Sequence, residues 1–395
     1  MGGQHNTFEL DNKERRSNNF SYDGGLSLSG LKRFYNAKQN YFEVNGSIYN
    51  WYNGYKSKVK DYASDTTFSS VSRKDNNYTG SLNGSFLIGK GRIEQVQDAR
   101  LALYLLEDLQ TLNRNKRSVS NLEVLELAKL ITSLKYKRFL DNRLRKIAEI
   151  TAIDSFMQKT GLVSITDASY FTSLNDNWNF ANNPARESGM RIYTGIEGSY
   201  SYNCEKTQEK ITVPSENVTD RKSKSNDAYI YAVAGIKFEN PINLKWQQSA
   251  GLKASVGSSY RLYSYEFAGT SDTSRYNGVN PSLKLIADYG YGFYPNSRTW
   301  LTANWDLNVI YNKQFIGTSK NDKENSQNSL HMYTGPTVNA YYYISETLRL
   351  SISFTGSYQV NYDTYITNIP AGSDDNQTKT RWNHQFEASL TNSLF

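Results

Sequence analysis

Residues 347–363 read TLRLSISFTGSYQVNYD. Leu348, Leu350, Ile352, Phe354, Gly356, Tyr358, Val360 and Tyr362 alternate with Arg349, Ser351, Ser353, Thr355, Ser357, Gln359, Asn361 and Asp363. All of the first row except Gly356 is apolar or aromatic. That is the period of a β-strand with one greasy face and one polar face. The same alternation runs through Leu244, Trp246, Ala250, Leu252, Ala254, Val256, Tyr260 and Leu262. It recurs in Leu283, Leu285, Ala287, Tyr289, Tyr291 and Phe293, and again in Leu301, Ala303, Trp305, Leu307, Val309 and Tyr311.

These runs span about 12 to 17 residues, where an ordinary strand has about 5–6. A tilted strand needs roughly 9–11 residues to cross a bilayer. Aromatic rings with one wet edge suit the headgroup level, and Trp246, Tyr260, Trp300, Tyr311, Tyr362 and Trp382 sit near run ends as interface candidates. A soluble β-sandwich also alternates, but its strands would need twice the usual length. Mean hydropathy is −0.67, and no run approaches 18 apolar residues, which excludes a transmembrane helix. It does not exclude membrane strands, whose alternation averages away.

Working outward, the chain falls into three zones. Residues 1–90 and 188–395 carry period-two patterning, and 91–187 carries the 3.6 period of helices. Connections in the strand zones alternate short and long. Short ones lie at 35–40, 239–243, 294–298 and 344–347, with Asn-Pro, Pro-Asn and Ser-Glu turn chemistry in the last three. Long polar ones are expected at 57–76, 204–226, 268–280, 313–329 and 364–379. Short turns on one side and long loops on the other are what outer-membrane barrels have, and the chain ends in Phe395. On these features the sequence resembles the outer-membrane β-barrel proteins of Gram-negative bacteria, which commonly end in an aromatic residue read by the assembly machinery. The row of Phe386, Ala388 and Leu390 is out of phase with Phe395, a departure from that family's pattern.

The expected fold is therefore an all-β transmembrane antiparallel barrel of about twelve strands, with an inserted α-helical domain of about three helices on the periplasmic side. A weak strand near 5–11 completes an even count. The expected surroundings are the lipid bilayer of the outer membrane. The opening Met1-Gly2-Gly3-Gln4 has no leader character, which fits either a cytosolic protein or a mature exported product whose signal peptide has been removed. In the insert, Ser120-Asn121-Leu122-Glu123 is a capping box. Residues 94–160 either brace the barrel or dock a periplasmic protein partner. Residues 163–183, with Tyr170, Phe171, Trp178 and Phe180, are a candidate for one piece inserted into the lumen.

Charge on the polar rows must face inward, because Lys or Arg in lipid costs about 2–4 kcal/mol at the midplane. Candidate lumen-lining residues are Arg191, Glu197, Lys245, Lys253, Arg261, Lys284, Asp288, Asp306 and Arg349. Lysine plus arginine number 45 against 38 acids, spread along the chain. That spread excludes a nucleic-acid partner, which needs a basic cluster with interleaved aromatics. One cysteine and three distant histidines exclude a disulfide scaffold and make a metal centre unexpected. No cofactor motif and no catalytic constellation is present; Gly89-Lys90-Gly91-Arg92 lacks the spacing of a phosphate loop. The functional expectation is a narrow channel or transport pathway for small solutes. A closed scaffold barrel and an outer-membrane hydrolase are the alternatives.

Overall fold

A computed structural model describes residues 2–10, 13–63, 66–136, 142–163, 165–180, 185–212, 216–267, 274–315, 326–345, 347–366 and 376–392. Phe395 and most of 364–379 lie outside the described residues. The strands are β1 (Gly2–Leu10), β2 (Lys13–Tyr35), β3 (Asn40–Ala63), β4 (Thr66–Gln95), β5 (Glu187–Thr212), β6 (Glu216–Pro241), β7 (Trp246–Phe267), β8 (Ser274–Asn296), β9 (Thr299–Phe315), β10 (Ser326–Tyr343), β11 (Leu348–Ile366) and β12 (Asn376–Asn392). They form one antiparallel sheet in chain order, each strand paired with its sequence neighbours. Among the described residues no ladder joins β1 to β12.

Three of the short turns are where the sequence places them, the one expected at 239–243 lies instead at 242–245 because Asn240 and Pro241 stay paired in β6, and a side-chain acceptor organises each. Asn36 accepts from the amides of Lys38 and Asn40, and Asn243 from those of Lys245 and Trp246. Asn296 accepts from Arg298, and Ser345 from Leu348. Asn and Ser side chains mimic a backbone turn in this way.

The opposite ends differ from expectation. The long loops expected at 57–76 and 204–226 are mostly paired strand. β4 has 30 residues, and β5 and β6 have 26 each. Beyond the apolar stretch both rows are polar, as in Lys206, Thr207, Gln208 and Glu209, while backbone pairing continues to Thr212↔Glu216. Hydropathy loses its period there although the ladder does not.

Among the described residues four helices, where about three were expected, fill the insert: α1 (Gln97–Thr111), α2 (Asn121–Tyr136), α3 (Asn142–Lys159) and α4 (Ala168–Phe180). The insert leaves and returns at facing positions, Gln95↔Glu187, so β4 and β5 pair as though joined by a hairpin. Gly91 and Gly189 are needed in this exit. Both have positive φ, and a Cβ on either would lie about 2 Å from a carbonyl oxygen of the neighbouring strand. That explains the glycines of the false phosphate loop.

The bundle has its own core of Leu101, Leu105, Leu109, Leu127, Ile131, Ile153, Met157, Tyr170, Leu174 and Trp178. Residues 165–180 therefore do not thread a lumen: α4 puts Tyr170, Leu174 and Trp178 into this core, because its apolar positions fall at helical spacing on one face. Trp178 Nε1 donates to the Glu149 carboxylate at 2.9 Å, which lets both groups be buried. Leu105 is fully buried. Leu105→Ala should destabilise the bundle by about 2–5 kcal/mol. Thermal melts of the full chain should show the helical signal at 222 nm lost earlier while the sheet signal persists.

Candidate functional site: the polar face and its helical lid

Two faces of the sheet are unequal in an unusual sense. On β3 to β11 the apolar row is exposed and the polar row is buried or half-buried. Ile192, Ile196, Leu82, Phe86, Ile88, Val256, Leu283 and Trp305 are exposed, whereas Glu43, Gln247, Ser255, Ser282 and Ser357 are buried. Curvature towards the polar row produces this, since a flat sheet would expose both rows alike. On β2 and β12 both rows are exposed.

The exposed row has limits. On β5 it runs from Met190 to Tyr200, and on β4 from Tyr78 to Ile88. Ten residue steps at about 3.3 Å and a tilt of about 40° rise about 25 Å, the height of the apolar band of a membrane barrel. Tyrosines edge the band on the hairpin side. Tyr22 and Tyr52 both donate to Asn76 Oδ1, at 3.1 and 2.9 Å, and Tyr78 donates to Asn50 at 2.9 Å. On the short-turn side Phe34 stacks on Phe42 at 4.6 Å, and Trp246 meets Phe293 in a tilted contact at 4.5 Å. Trp246, Tyr260, Tyr311, Tyr362 and Trp382 are on this outer row. Trp300 is not. It is 6% exposed, on the polar face, stacked on Tyr341 at 4.7 Å. Its position one residue before Leu301 puts it on the opposite phase, which strand-end location alone could not reveal.

Charges on the polar face are paired along the wall. Lys253 bonds Glu197 at 2.5 Å, from β7 to β5. Arg191 bonds Glu43 at 3.2 Å, and Arg33 donates to the same carboxylate at 2.6 Å. Arg261 pairs with Asp227 at 2.5 Å towards the hairpin end. Among the described residues no carboxylate pairs with Lys284; its ammonium lies 4.2 Å from the Tyr231 ring centre. Arg349 lies over Tyr341. Asp288 and Asp306 face each other directly across β8 and β9. Lys245 is a correction: it sits exposed in the β6–β7 turn, outside the strand. The turn ends two residues later than the alternation implies, because β7 begins at Trp246 rather than Leu244, and Asn243 draws Lys245 into the turn. His331 meets Asn361 at 2.8 Å.

Sequence reasoning missed Arg33, Glu43, Arg186, Glu187 and Gln247. Arg33 and Glu43 were discoverable, since they are register partners across the 36–39 turn. Arg186 carried no signal, because its partners are mainly backbone carbonyls of a distant turn.

Arg186, immediately before β5, anchors the segment by which the insert rejoins the sheet. It is 2% exposed. Its guanidinium donates to the carbonyls of Leu244, Asn243 and Trp246 at 2.5, 2.8 and 2.8 Å, and to Gln247 Oε1 at 2.9 Å. It also covers the Tyr294 ring at 4.7 Å. Tyr104 of α1 donates to the Tyr294 carbonyl at 3.3 Å. Arg298 of the β8–β9 turn pairs with Asp176 of α4 and covers Phe180, which meets Tyr343 at 5.5 Å. The bundle thus seats on the β6–β7 and β8–β9 turns and the end of β10, all at the short-turn end of the polar face. Burial lowers Arg100 of α1 to about 10 and lowers Arg186 as well, but guanidinium is so strong a base that both stay cationic at neutral pH.

The capping box forms at α2. The Ser120 amide donates to the Glu123 carboxylate at 2.9 Å, and the Glu123 amide to Ser120 Oγ at 3.3 Å. Arg117, then Ser120, hold the Glu123 carboxyl down at about 2. A depressed folded value means that this stabilisation is present above the ordinary glutamate range and is lost as pH falls through about 2. The Glu123 carboxyl carbon should titrate by NMR near 2 in the wild type and higher in Arg117→Ala, still below the ordinary range because Ser120 continues to donate to it.

No protein-family model matches the chain, and no curated protein matches it. Solved structures align over nearly all of it at low similarity. The transport unit of the autotransporter AIDA-I from Escherichia coli is 11% identical, covering 99% of this chain and 88% of that one, with a TM-score of 0.29. The CymD monoaromatic hydrocarbon channel is 11% identical, covering 99% and 82%, with a TM-score of 0.22. OmpT of Vibrio cholerae, outer-membrane expressed, is 8% identical, covering 98% and 99%, with a TM-score of 0.17. At these scores the superpositions decide neither fold nor function.

Proposed function

We propose that this chain is a β-barrel of the Gram-negative outer membrane whose polar interior is a narrow aqueous path for small solutes. The observation that carries the reading is the exposed apolar row, which keeps one height across most of the sheet and ends in tyrosines. In water such a band is a large exposed apolar patch; against lipid tails it is the favourable arrangement. Closure of β12 on β1 belongs to the proposal, because an open edge leaves backbone groups unpaired in hydrocarbon.

The bundle then lies on the periplasmic side, since short turns face the periplasm. There it braces the mouth. Leu122, Leu125 and Ile147 remain exposed on it, which supports a second role in docking a periplasmic protein.

An open interior is favoured over a sealed one by how the charges pair. Glu43–Arg191 and Glu197–Lys253 each reach across one intervening strand of the same wall, and Asp227–Arg261 joins adjacent strands. None of these pairs fills the middle. Mixed charge gives weak, slightly anionic selectivity. Purified protein in a planar bilayer should give discrete conductance steps. Folded protein that carries no current would remove the pathway and leave the closed scaffold.

A further inference from the structure

Just beyond the tyrosine edge the outward row becomes basic. Lys56 on β3, Lys74 on β4, Lys206 on β5 and Lys222 on β6 all continue the outward phase of Tyr52, Tyr78, Tyr202 and Ile230. Register sets like against like. Lys56 is directly opposite Lys74, and Lys206 directly opposite Lys222. Like charges directly opposed across a ladder are destabilising unless something neutralises them. Lys222 has Glu266 at 3.7 Å. Lys56, Lys74 and Lys206 are exposed, and no ion pair or hydrogen bond engages their ammonium groups among the described residues. A groove of about 550 Å³ opens beside Lys74 and Lys206, lined also by Asn76, Lys222 and the carboxylates Asp220 and Glu266. Asn76, on its floor, is the acceptor for the girdle hydroxyls of Tyr22 and Tyr52. Groove and girdle are therefore continuous.

We propose that this row binds the phosphate group of an anionic lipid in the leaflet on the hairpin side. The proposal rests on the membrane reading above. Two observations select a lipid. The lysines point outward, away from the polar interior that a dissolved solute would use. Lys56, Lys74 and Lys206 also stand four residues past Tyr52, Tyr78 and Tyr202 on the same row, about 13 Å along the strand and about 10 Å in height at a tilt of about 40°, within reach of headgroup phosphates. Three rotatable donors on each ammonium suit phosphate oxygens approached from several directions.

The test uses the full chain in detergent micelles doped equally with phosphatidic acid and phosphatidylcholine, read by native mass spectrometry. Heat-modifiable gel mobility is scored on the same sample. The wild type should retain phosphatidic acid over phosphatidylcholine by about a hundredfold, since each of the three basic side chains contributes about fivefold near an anionic surface. Lys56→Gln/Lys74→Gln/Lys206→Gln should bring the ratio close to one with mobility unchanged. Lys32→Gln, outward on β2 at the opposite edge of the band, should leave it intact. Inorganic phosphate should not displace the lipid. Equal retention by wild type and triple variant, loss in Lys32→Gln, or displacement by inorganic phosphate overturns the lipid assignment while the barrel stands. Absence of any heat-modifiable shift in the wild type overturns the barrel reading and this proposal with it.

Discussion

Arg186→Ala should release the helix bundle from the sheet. Four acceptors on the β6–β7 turn converge on this one buried guanidinium. Removing it strands carbonyl oxygens in a site that excludes water, and it also uncovers the Tyr294 ring. Hydrogen bonds to charged donors contribute about 1.5–3 kcal/mol each, and breaking a buried charged cluster costs about 3–5 kcal/mol. The docking equilibrium should therefore shift by two to three orders of magnitude, at about 1.4 kcal/mol per decade. Limited proteolysis reads this directly. Cleavage within 97–180 should accelerate, while the strands stay protected. Arg186→Lys restores the charge but not the planar fork, so it should recover only part of the protection. Uniform protection of the Ala variant would mean that the Arg298–Asp176 and Tyr104–Tyr294 contacts suffice alone.

The second large effect separates lipid from water. Ile196 is 53% exposed, in the middle of the outward row of β5. In a soluble protein Ile196→Arg at so exposed a site should change stability by less than about 0.5 kcal/mol. Facing hydrocarbon, the same change should cost about 2–4 kcal/mol. Gln208→Arg lies on the same row of the same strand, past the tyrosine edge, and should be neutral. Refolding into vesicles across a urea series, followed by gel mobility, measures all three proteins.

Much of this was legible in the residues. The rows at 348–362 and 301–311 gave strand and face together, because a period of two fixes both at once. The turns were legible because Asn243, Asn296 and Ser345 act locally. The Glu123 cap was legible for the same reason. What escaped depended on distant partners or on pairing without hydropathy. Arg186 answers to carbonyls some sixty residues away. The outer halves of β4, β5 and β6 carry polar side chains on both rows, so only backbone pairing defines them. Trp300 was misplaced because an aromatic near a strand end suits either face, and its neighbour Tyr341 decides which. Residues 165–180 were open to two readings until Trp178 found Glu149.

Whether hydrocarbon touches the outer row can be measured with tryptophan. Trp305 is 55% exposed in the middle of that row on β9, while Trp300 of the same strand is buried on the other face. Two variants, each keeping one of these indoles and replacing the other five tryptophans by phenylalanine, are folded into vesicles with bromine on the acyl chains. Strong quenching of Trp305 with little of Trp300 is the predicted result. Quenching of Trp305 by aqueous iodide, with no response to the brominated chains, would contradict the account.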